Sequence, residues 1–494
     1  MARVRVDLDR TLGRVDERIF GGFIEHVGRC IYGGIYDEGS PLSDARGFRT
    51  DVLDAIKQLR VPVLRWPGGN FVSGYHWTDG VGPADERPRR RELAWHAIES
   101  NRFGTDEFIA YCRALGAEPY ICVNMGTGTI DEAANWVEYC NGTGDTYWAD
   151  LRRRNGHPEP YNVKYWGLGN EMWGGWQIGA LSAEDYVKKA REFAKVMRWT
   201  DPSIELVGCG HSGLSDWDRI VLVGLAPFVH HHAIHIYTGS NDFARNVFAP
   251  HQAERALRVC QALIDQTRFN GQIQHEITVA YDEWNVWFRA RKAETGLEEP
   301  FTLSDALAVA TFLNIFVRAC RTVGMANLAQ LVNAIAAITT SPDGLFYQAI
   351  YHPFRLLAQS TQRIALDAWV ESPTMTLEPE PPHTSDASRI ADLGPFSLLD
   401  VAATRDETRS RLTLSIVNRS ADAALATAIE LSQPLPRQTV TVAEVNGDVV
   451  DVPNSFAHPD VVSVRESHID VAGDRVDLNV PAHAHVVMTL ELGS

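Results

Sequence analysis

The sequence predicts an α/β fold: a (β/α)8 TIM barrel with a C-terminal all-β sandwich domain. Between about residues 17 and 350, eight short apolar runs alternate with longer amphipathic ones. Strands alternating with helices imply a parallel sheet, and eight such units are the number that closes a barrel. After about residue 365 the helical period disappears and alternating runs separated by turn signals take over, the pattern of a sandwich. The length of 494 residues suits one large barrel with an appendage.

The expected barrel strands, in order, are Ile19–Glu25, Val61–Arg65, Pro119–Asn124, Val163–Asn170, Ile204–Cys209, Ala233–Tyr237, Ile277–Glu283 and Ala326–Leu331. Helical periods occupy Phe48–Leu59, Asp106–Leu115, Ala183–Trp199, His251–Thr267 and Ser304–Val323. Thr129-Ile130-Asp131-Glu132 and Ser182-Ala183-Glu184-Asp185 read as capping boxes that start helices. Glu371–His383, rich in Pro, Thr and Glu, reads as a linker. Beyond it, strands are expected at Ser397–Ala403, Arg411–Asn418, Ala424–Leu431, Thr439–Val445, Val476–Val480 and His485–Leu492, with a turn at Asn446-Gly447-Asp448. The alternating Val4–Asp9 precedes the barrel and is expected to pair into the sandwich. The resulting division is residues 16–365 for the barrel, with 1–15 and 366–494 forming the sandwich.

Lys plus Arg number 46 against 63 Asp plus Glu, a net charge of −17. A body this acidic repels phosphate backbones and anionic lipid, which argues against nucleic acid and membranes as partners. The short basic runs Arg87–Arg91 and Arg152–Arg154 read as solvated loops or subunit contacts. The seven cysteines are dispersed and form no CxxC pair, so they suggest neither a zinc ribbon nor a disulfide framework. The N-terminus carries no apolar run behind its charges, so it does not read as a secretory signal, and a cytoplasmic location is expected.

Catalytic groups of such barrels cluster at the C-terminal ends of the strands. Reading the residue that ends each run brings Glu171 from strand four and Glu283 from strand seven to one mouth, near Arg65 and Asn70, with Trp66, Trp77, Trp95, Trp173, Trp176, Trp284 and Trp287 around them. A carboxylate pair in a polar, indole-walled pocket is what glycoside hydrolysis requires: one group protonates the departing oxygen and the other attacks or stabilises the anomeric carbon. A strand-end Glu favoured by a helix dipole is the plainer explanation for any single acid. Two acids in Gly-Asn-Glu and Asp-Glu-Trp-Asn contexts after separate strands favour catalysis. His235 is expected to orient Glu283 from within the pocket. The run His230-His231-His232 with His235 lacks acids or cysteines to complete a metal shell, so no metal and no cofactor are expected.

Gly22-Phe23-Ile24-Glu25-His26, Leu64-Arg65-Trp66-Pro67-Gly68-Gly69-Asn70, Asn101-Arg102-Phe103-Gly104-Thr105-Asp106-Glu107-Phe108, Gly167-Leu168-Gly169-Asn170-Glu171-Met172-Trp173-Gly174 and Asp282-Glu283-Trp284-Asn285-Val286-Trp287 resemble glycoside hydrolase family 51. The resemblance runs over nearly the whole chain, with the motifs in the family's order. It implies a retaining α-L-arabinofuranosidase with a barrel, a β-sandwich and a hexameric assembly. By the same resemblance Glu171 is the general acid/base, Glu283 the nucleophile, and Asn170 the residue that holds the substrate 2-hydroxyl. Glu25, Arg65, Asn70, Tyr237 and Gln348 bind the sugar or orient the nucleophile.

The function expected is exo-acting removal of terminal arabinofuranose from arabinan- or arabinoxylan-derived oligosaccharides. The rivals are the same mechanism on another sugar (endo-glucanase, β-xylosidase or galactofuranosidase) and a non-catalytic carbohydrate-binding protein. Retention predicts carboxyl groups roughly 5–5.5 Å apart. The charge of Glu283 across the pocket predicts a Glu171 pKa above the ~4.3 of a free Glu.

Overall fold

The computed structural model describes residues 2–381 and 388–493. The end of the expected linker, including His383, lies outside the described residues. Eight parallel strands close a barrel: Gly21–Phe23, Val63–Trp66, Glu118–Val123, Tyr165–Leu168, Glu205–Gly208, His231–Thr238, Thr278–Val286 and Val323–Ala329. Each falls within or across one of the expected runs. Val63, Tyr120, Tyr165, Val207, Ala233, Ala280 and Met325 pack together as a buried cluster of residues drawn from seven of these strands. Residues on one face of a strand recur every second position, which is why Ala233, His235 and Tyr237 climb from this packed layer to the mouth.

The expected helices appear as Thr50–Gln58, Thr105–Leu115, Ala183–Thr200, His251–Gly271 and Leu303–Arg318. Both capping boxes act as helix starts: the side chain of Thr129 accepts from Glu132 N, and that of Ser182 from Asp185 N. Tyr147–Arg154, Asp216–Leu225, Phe243–Phe248 and Tyr351–Ser360 are further helices. The second basic run is not a solvated loop. Arg152 is buried in helix Tyr147–Arg154 and donates to the carbonyls of Tyr139 and Gly142 at 2.8 and 2.9 Å. The first run is also partly internal, since Arg87 pairs with Glu107 at 2.9 Å through a nearly buried guanidinium.

The β-rich domain is a seven-stranded sheet in the order Ala2–Arg14, Ile364–Glu371, Leu399–Arg405, Arg411–Asn418, Ala484–Glu491, Leu425–Asn446, Ser463–Val480. Ala2–Arg14 pairs antiparallel with Ile364–Glu371 and also parallel with the first part of Leu425–Asn446, so the sheet returns onto its own first strand. The runs read as separate strands at 424–431 and 439–445 are one strand, irregular between Glu430 and Gln438, whose second half pairs with Ala484–Glu491. A strand that changes partner at such a bend is how two packed layers are joined at a corner.

Helix Leu303–Arg318 is buried along nearly its whole length and carries a polar link to the β-rich domain. Asp400 accepts from Asn314 Nδ2 at 2.8 Å and from both guanidinium nitrogens of Arg318 at 3.0 and 2.9 Å. Among the described residues no helix is long and apolar enough to cross a membrane.

Candidate active site

The floor of the site is built from the ends of the first two strands. Glu25 is buried, and its carboxylate accepts from Phe71 N at 2.9 Å, Trp95 Nε1 at 3.0 Å and Gln330 Nε2 at 3.2 Å. The Trp-Pro-Gly-Gly-Asn turn has a steric reason here. A Cβ on Gly69 would stand 2.5 Å from Glu25 Oε2, and one on Gly68 2.8 Å from Glu25 Cγ. Burial, reinforced by the charge of Glu283, pushes the Glu25 carboxyl up to about 8, with the Phe71 and Trp95 donors opposing. Burial thus favours the protonated form of Glu25.

Arg65 ties the centre together. Its Nη1 donates to Glu283 Oε1 and its Nη2 to Asn170 Oδ1, each at 2.6 Å, while its Nε lies 3.3 Å from Asp282 Oδ2. Because Arg65 occupies the Asn170 carbonyl, the amide Nδ2 is turned the other way; it is buried and has no protein hydrogen-bond partner.

Glu171 follows Gly169 and Asn170 beyond the fourth strand, with φ values of +79° at Gly169 and +42° at Glu171. A non-glycine residue in that region costs of order 1–3 kcal/mol and is a mark of functional sites. Its Oε1 lies 2.9 Å from His235 Nδ1, and its Oε2 accepts from Trp176 Nε1 at 3.1 Å. On the seventh strand, register shifts before Glu283 break the alternation. Neighbouring Asp282 and Glu283 both reach Arg65 and His235, which a regular strand would forbid. Tyr237 donates to Glu283 Oε2 at 2.8 Å; burial and the Glu283 charge keep its hydroxyl well above the usual range, so it stays a donor. Asp282 accepts from Tyr120 Oη at 2.8 Å and lies 3.1 Å from His235 Nε2.

His235 thus stands among three carboxylates, with its Nδ1 also 3.6 Å from Glu283 Oε2. Burial alone would lower its pKa. The charges of Glu283 and Asp282 and the bonds to Asp282 and Glu171 outweigh burial and raise it to about 10. This cation overturns the expectation for Glu171. Burial tends to raise that carboxyl, but the bond to His235 and its charge, with the Trp176 bond, bring it below its ordinary value. Repulsion between the two glutamates is relieved by the imidazolium between them.

These groups face a cavity of about 400 Å³ whose lining includes Glu25, Asn70, Glu171, His235, Tyr237 and Glu283. Arg65 and Asn170 stand behind this lining, Arg65 bonding both Glu283 and Asn170. Of the tryptophans named from sequence, Trp95, Trp173, Trp176 and Trp287 line the cavity, whereas Trp66, Trp77 and Trp284 are packed in the core. Gln348 does not join the site. Its Oε1 accepts from Phe301 N, and its Nε2 donates to Glu299 O and Thr339 Oγ1, so the amide is spent on the local backbone and a neighbouring threonine. The glutamine in the lining is Gln330, which follows the eighth strand and bonds Glu25. Sequence reading missed it, and missed Trp95 as a donor to Glu25, because both contacts depend on distant loops converging. His231 and His232 are held instead by Thr278, Glu205 and Asp218, apart from His235.

A closed parallel barrel with acids from its fourth and seventh strands meeting in an indole-lined cavity is the architecture of a barrel glycoside hydrolase. Residues 55–255 match the family model of the alpha-L-arabinofuranosidase 1 domain, and residues 282–484 that of the alpha-L-arabinofuranosidase C-terminal domain. The chain is 44% identical to a probable alpha-L-arabinofuranosidase C of Aspergillus terreus, over 97% of this chain and 95% of that one. It is 39% identical to an intracellular exo-α-(1→5)-L-arabinofuranosidase of Halalkalibacterium halodurans, over 85% of each. Among solved structures, the arabinose complex of the Thermotoga maritima α-L-arabinofuranosidase superposes with a TM-score of 0.92 at 42% identity, covering 100% of both chains. The GH51 α-L-arabinofuranosidase of Thermotoga petrophila gives 0.92 at 42% identity, covering 99% of this chain and 100% of that one. The chain belongs to glycoside hydrolase family 51 and is an α-L-arabinofuranosidase.

Proposed function

We propose that the enzyme is exo-acting and retaining, and that it releases terminal non-reducing arabinofuranose from arabinan- or arabinoxylan-derived oligosaccharides by double displacement. The observation that carries this reading is the spacing of the acids. One carboxylate oxygen of Glu171, one of Glu283 and a ring nitrogen of His235 all lie within 4.8 Å of one another. That separation favours direct attack; inversion needs roughly 6.5–9.5 Å to seat a water between the acids.

In the first step Glu283, aimed by Arg65 and Tyr237, attacks the anomeric carbon while Glu171 delivers a proton to the departing oxygen. The Asn170 amide, pinned by Arg65, offers its free N–H to the sugar 2-hydroxyl, and Glu25 with Asn70 binds hydroxyls at the floor. In the second step Glu171 takes a proton from water, which attacks the glycosyl ester and restores Glu283. Both steps invert the anomeric centre, so configuration is retained. A cavity of about 400 Å³ suits a terminal sugar, with Trp173, Trp176 and Trp287 offering ring faces to it or to the sugar beyond.

The intracellular name of the Halalkalibacterium relative supports a cytoplasmic role on imported oligosaccharides, and the family resemblance supports a homohexamer. Aryl α-L-arabinofuranoside, β-D-xylopyranoside and β-D-galactofuranoside assayed side by side test the sugar, with NMR of the first-formed product for its anomer. Preference for arabinofuranoside with an α product agrees with the proposal; a β product or a dominant xyloside activity would refute it.

A further inference from the structure

Among its sequence neighbours His230, His231 and His232, His235 finds no acids or cysteines to complete a metal shell. The structure gives it different company. Its Nδ1 lies 2.9 Å from Glu171 Oε1 and 3.6 Å from Glu283 Oε2, and the three groups come from three different strand ends. A tetrahedral ion with bonds of about 2.0–2.1 Å holds its ligand atoms about 3.3 Å apart. The three ligand atoms, all within 4.8 Å of one another, thus bracket that spacing.

We propose that Glu171, His235 and Glu283 form an inhibitory binding site for a borderline divalent cation of the Zn²⁺ type, which excludes the sugar while bound. Three features beyond the cluster itself support it. First, the far nitrogen of the imidazole is already held by a carboxylate: His235 Nε2 lies 3.1 Å from Asp282 Oδ1, and Asp282 is itself fixed by Tyr120 Oη at 2.8 Å and Arg65 Nε at 3.3 Å. This leaves Nδ1 as the ligating nitrogen, in the carboxylate–histidine–metal arrangement that orients metal-binding histidines. Second, both carboxylates are held in place, Glu171 Oε2 by Trp176 and Glu283 by Arg65 at Oε1 and by Tyr237 at Oε2, so the oxygens facing His235 are presented with little freedom to lose. Third, the ligand atoms face the cavity of about 400 Å³, which leaves a fourth position open to water. One imidazole and two carboxylates with an open position is a zinc donor set; Mg²⁺ and Ca²⁺ demand six or more oxygens. Binding displaces the proton on Nδ1 to solvent and forms bonds from Nδ1 and the two carboxylate oxygens to the ion.

Only the claim that cation and sugar exclude each other rests on the reading of the cavity as the glycone site. The test is direct binding, independent of turnover. Zn²⁺ titrated calorimetrically into the full chain should bind at one ion per chain, and Co²⁺ should give the visible absorption of a four- or five-coordinate site. His235→Gln, checked for folding by circular dichroism, should weaken binding by more than about 100-fold, and Asp282→Asn by about 10–100-fold. His468→Gln, on an exposed strand of the β-rich domain, should leave it unchanged. Arabinose at saturating concentration should abolish the Co²⁺ band. Absence of stoichiometric binding up to millimolar Zn²⁺, full affinity in folded His235→Gln, or a Co²⁺ band that persists under saturating arabinose would each overturn the proposal. Failure of the arabinofuranoside assay with intact Zn²⁺ binding would instead count against the proposed function.

Discussion

His235 Nδ1 and Glu171 Oε1 lie 2.9 Å apart, so the carboxyl proposed as the acid shares a proton with an imidazole. His235 is raised to about 10 and Glu171 lowered, so between those limits the pair holds one proton, resting on the ring. Apparent pKa values belong to such a pair and not to either member. As pH rises through about 10 the pair loses that proton, and the ability to protonate a leaving group is lost with it. In His235→Gln the proton falls to Glu171 alone, a carboxyl that starts from ~4.3, is raised by burial, and is still lowered by the Trp176 bond and the Arg65 charge. The alkaline limb of kcat/KM on a poor leaving group should therefore move to lower pH by at least about 1 unit. An unmoved limb would show that His235 has no part in holding the acid's proton.

Gly69→Ala should impair sugar binding through Glu25. The new methyl would stand 2.5 Å from Glu25 Oε2, and a carboxyl that shifts away gives up its bonds from Phe71 N, Trp95 Nε1 and Gln330 Nε2. The expected outcome is a stability loss of about 1–3 kcal/mol and a larger rise in KM than fall in kcat. Thermal melts and Michaelis kinetics on an aryl arabinofuranoside measure both.

Asp400 locks helix Leu303–Arg318 to the β-rich domain, and Arg318 and Arg419 hold its buried carboxyl far below the ordinary range against the cost of burial. A depressed carboxyl contributes stability above its unfolded pKa of ~3.9, and that contribution fades as pH falls below it. Asp400→Asn should cost about 3–5 kcal/mol at neutral pH by stranding the arginines. The gap between variant and wild type should narrow below about pH 4. A constant gap from pH 7 to pH 3 would contradict the assignment.

Chelation should leave the rate unchanged, because in the proposed mechanism Glu283 and Glu171 between them supply the attacking oxygen and the proton. Assays after prolonged dialysis against a chelator, with and without added Zn²⁺, check this. Activity restored by Zn²⁺ would assign the ion a catalytic role in place of an inhibitory one.

The eight strands and the two central acids were legible because each depends on neighbours in sequence: apolar runs of strand length, and Gly-Asn-Glu or Asp-Glu-Trp-Asn placed just beyond them. What was not legible depends on register across the barrel. The irregularity before Glu283 lets Asp282 share its site, and nothing in the local pattern marks it. The resemblance implies Gln348, but its amide is consumed by Phe301 N, Glu299 O and Thr339, while Gln330 reaches Glu25. Arg152 looked solvated because its neighbours are arginines, yet the carbonyls it caps come from a different helix end. The lowered Glu171 followed the same logic: two facing acids predict repulsion, and only the fold shows His235 between them.

The most direct test of the two roles compares Glu171→Ala and Glu283→Ala on a dinitrophenyl arabinofuranoside, with and without azide. Glu283→Ala has no nucleophile and should be nearly inactive whatever the leaving group. Glu171→Ala should retain a fast first step, because dinitrophenolate leaves without a proton, and then stall at the glycosyl-enzyme. Azide needs no base to attack that ester, so it should accelerate turnover and yield an arabinofuranosyl azide of the substrate's own α configuration. If azide instead rescued Glu283→Ala to an α product, while Glu171→Ala stayed inactive on every leaving group, the assignment of nucleophile to Glu283 and acid/base to Glu171 would be contradicted.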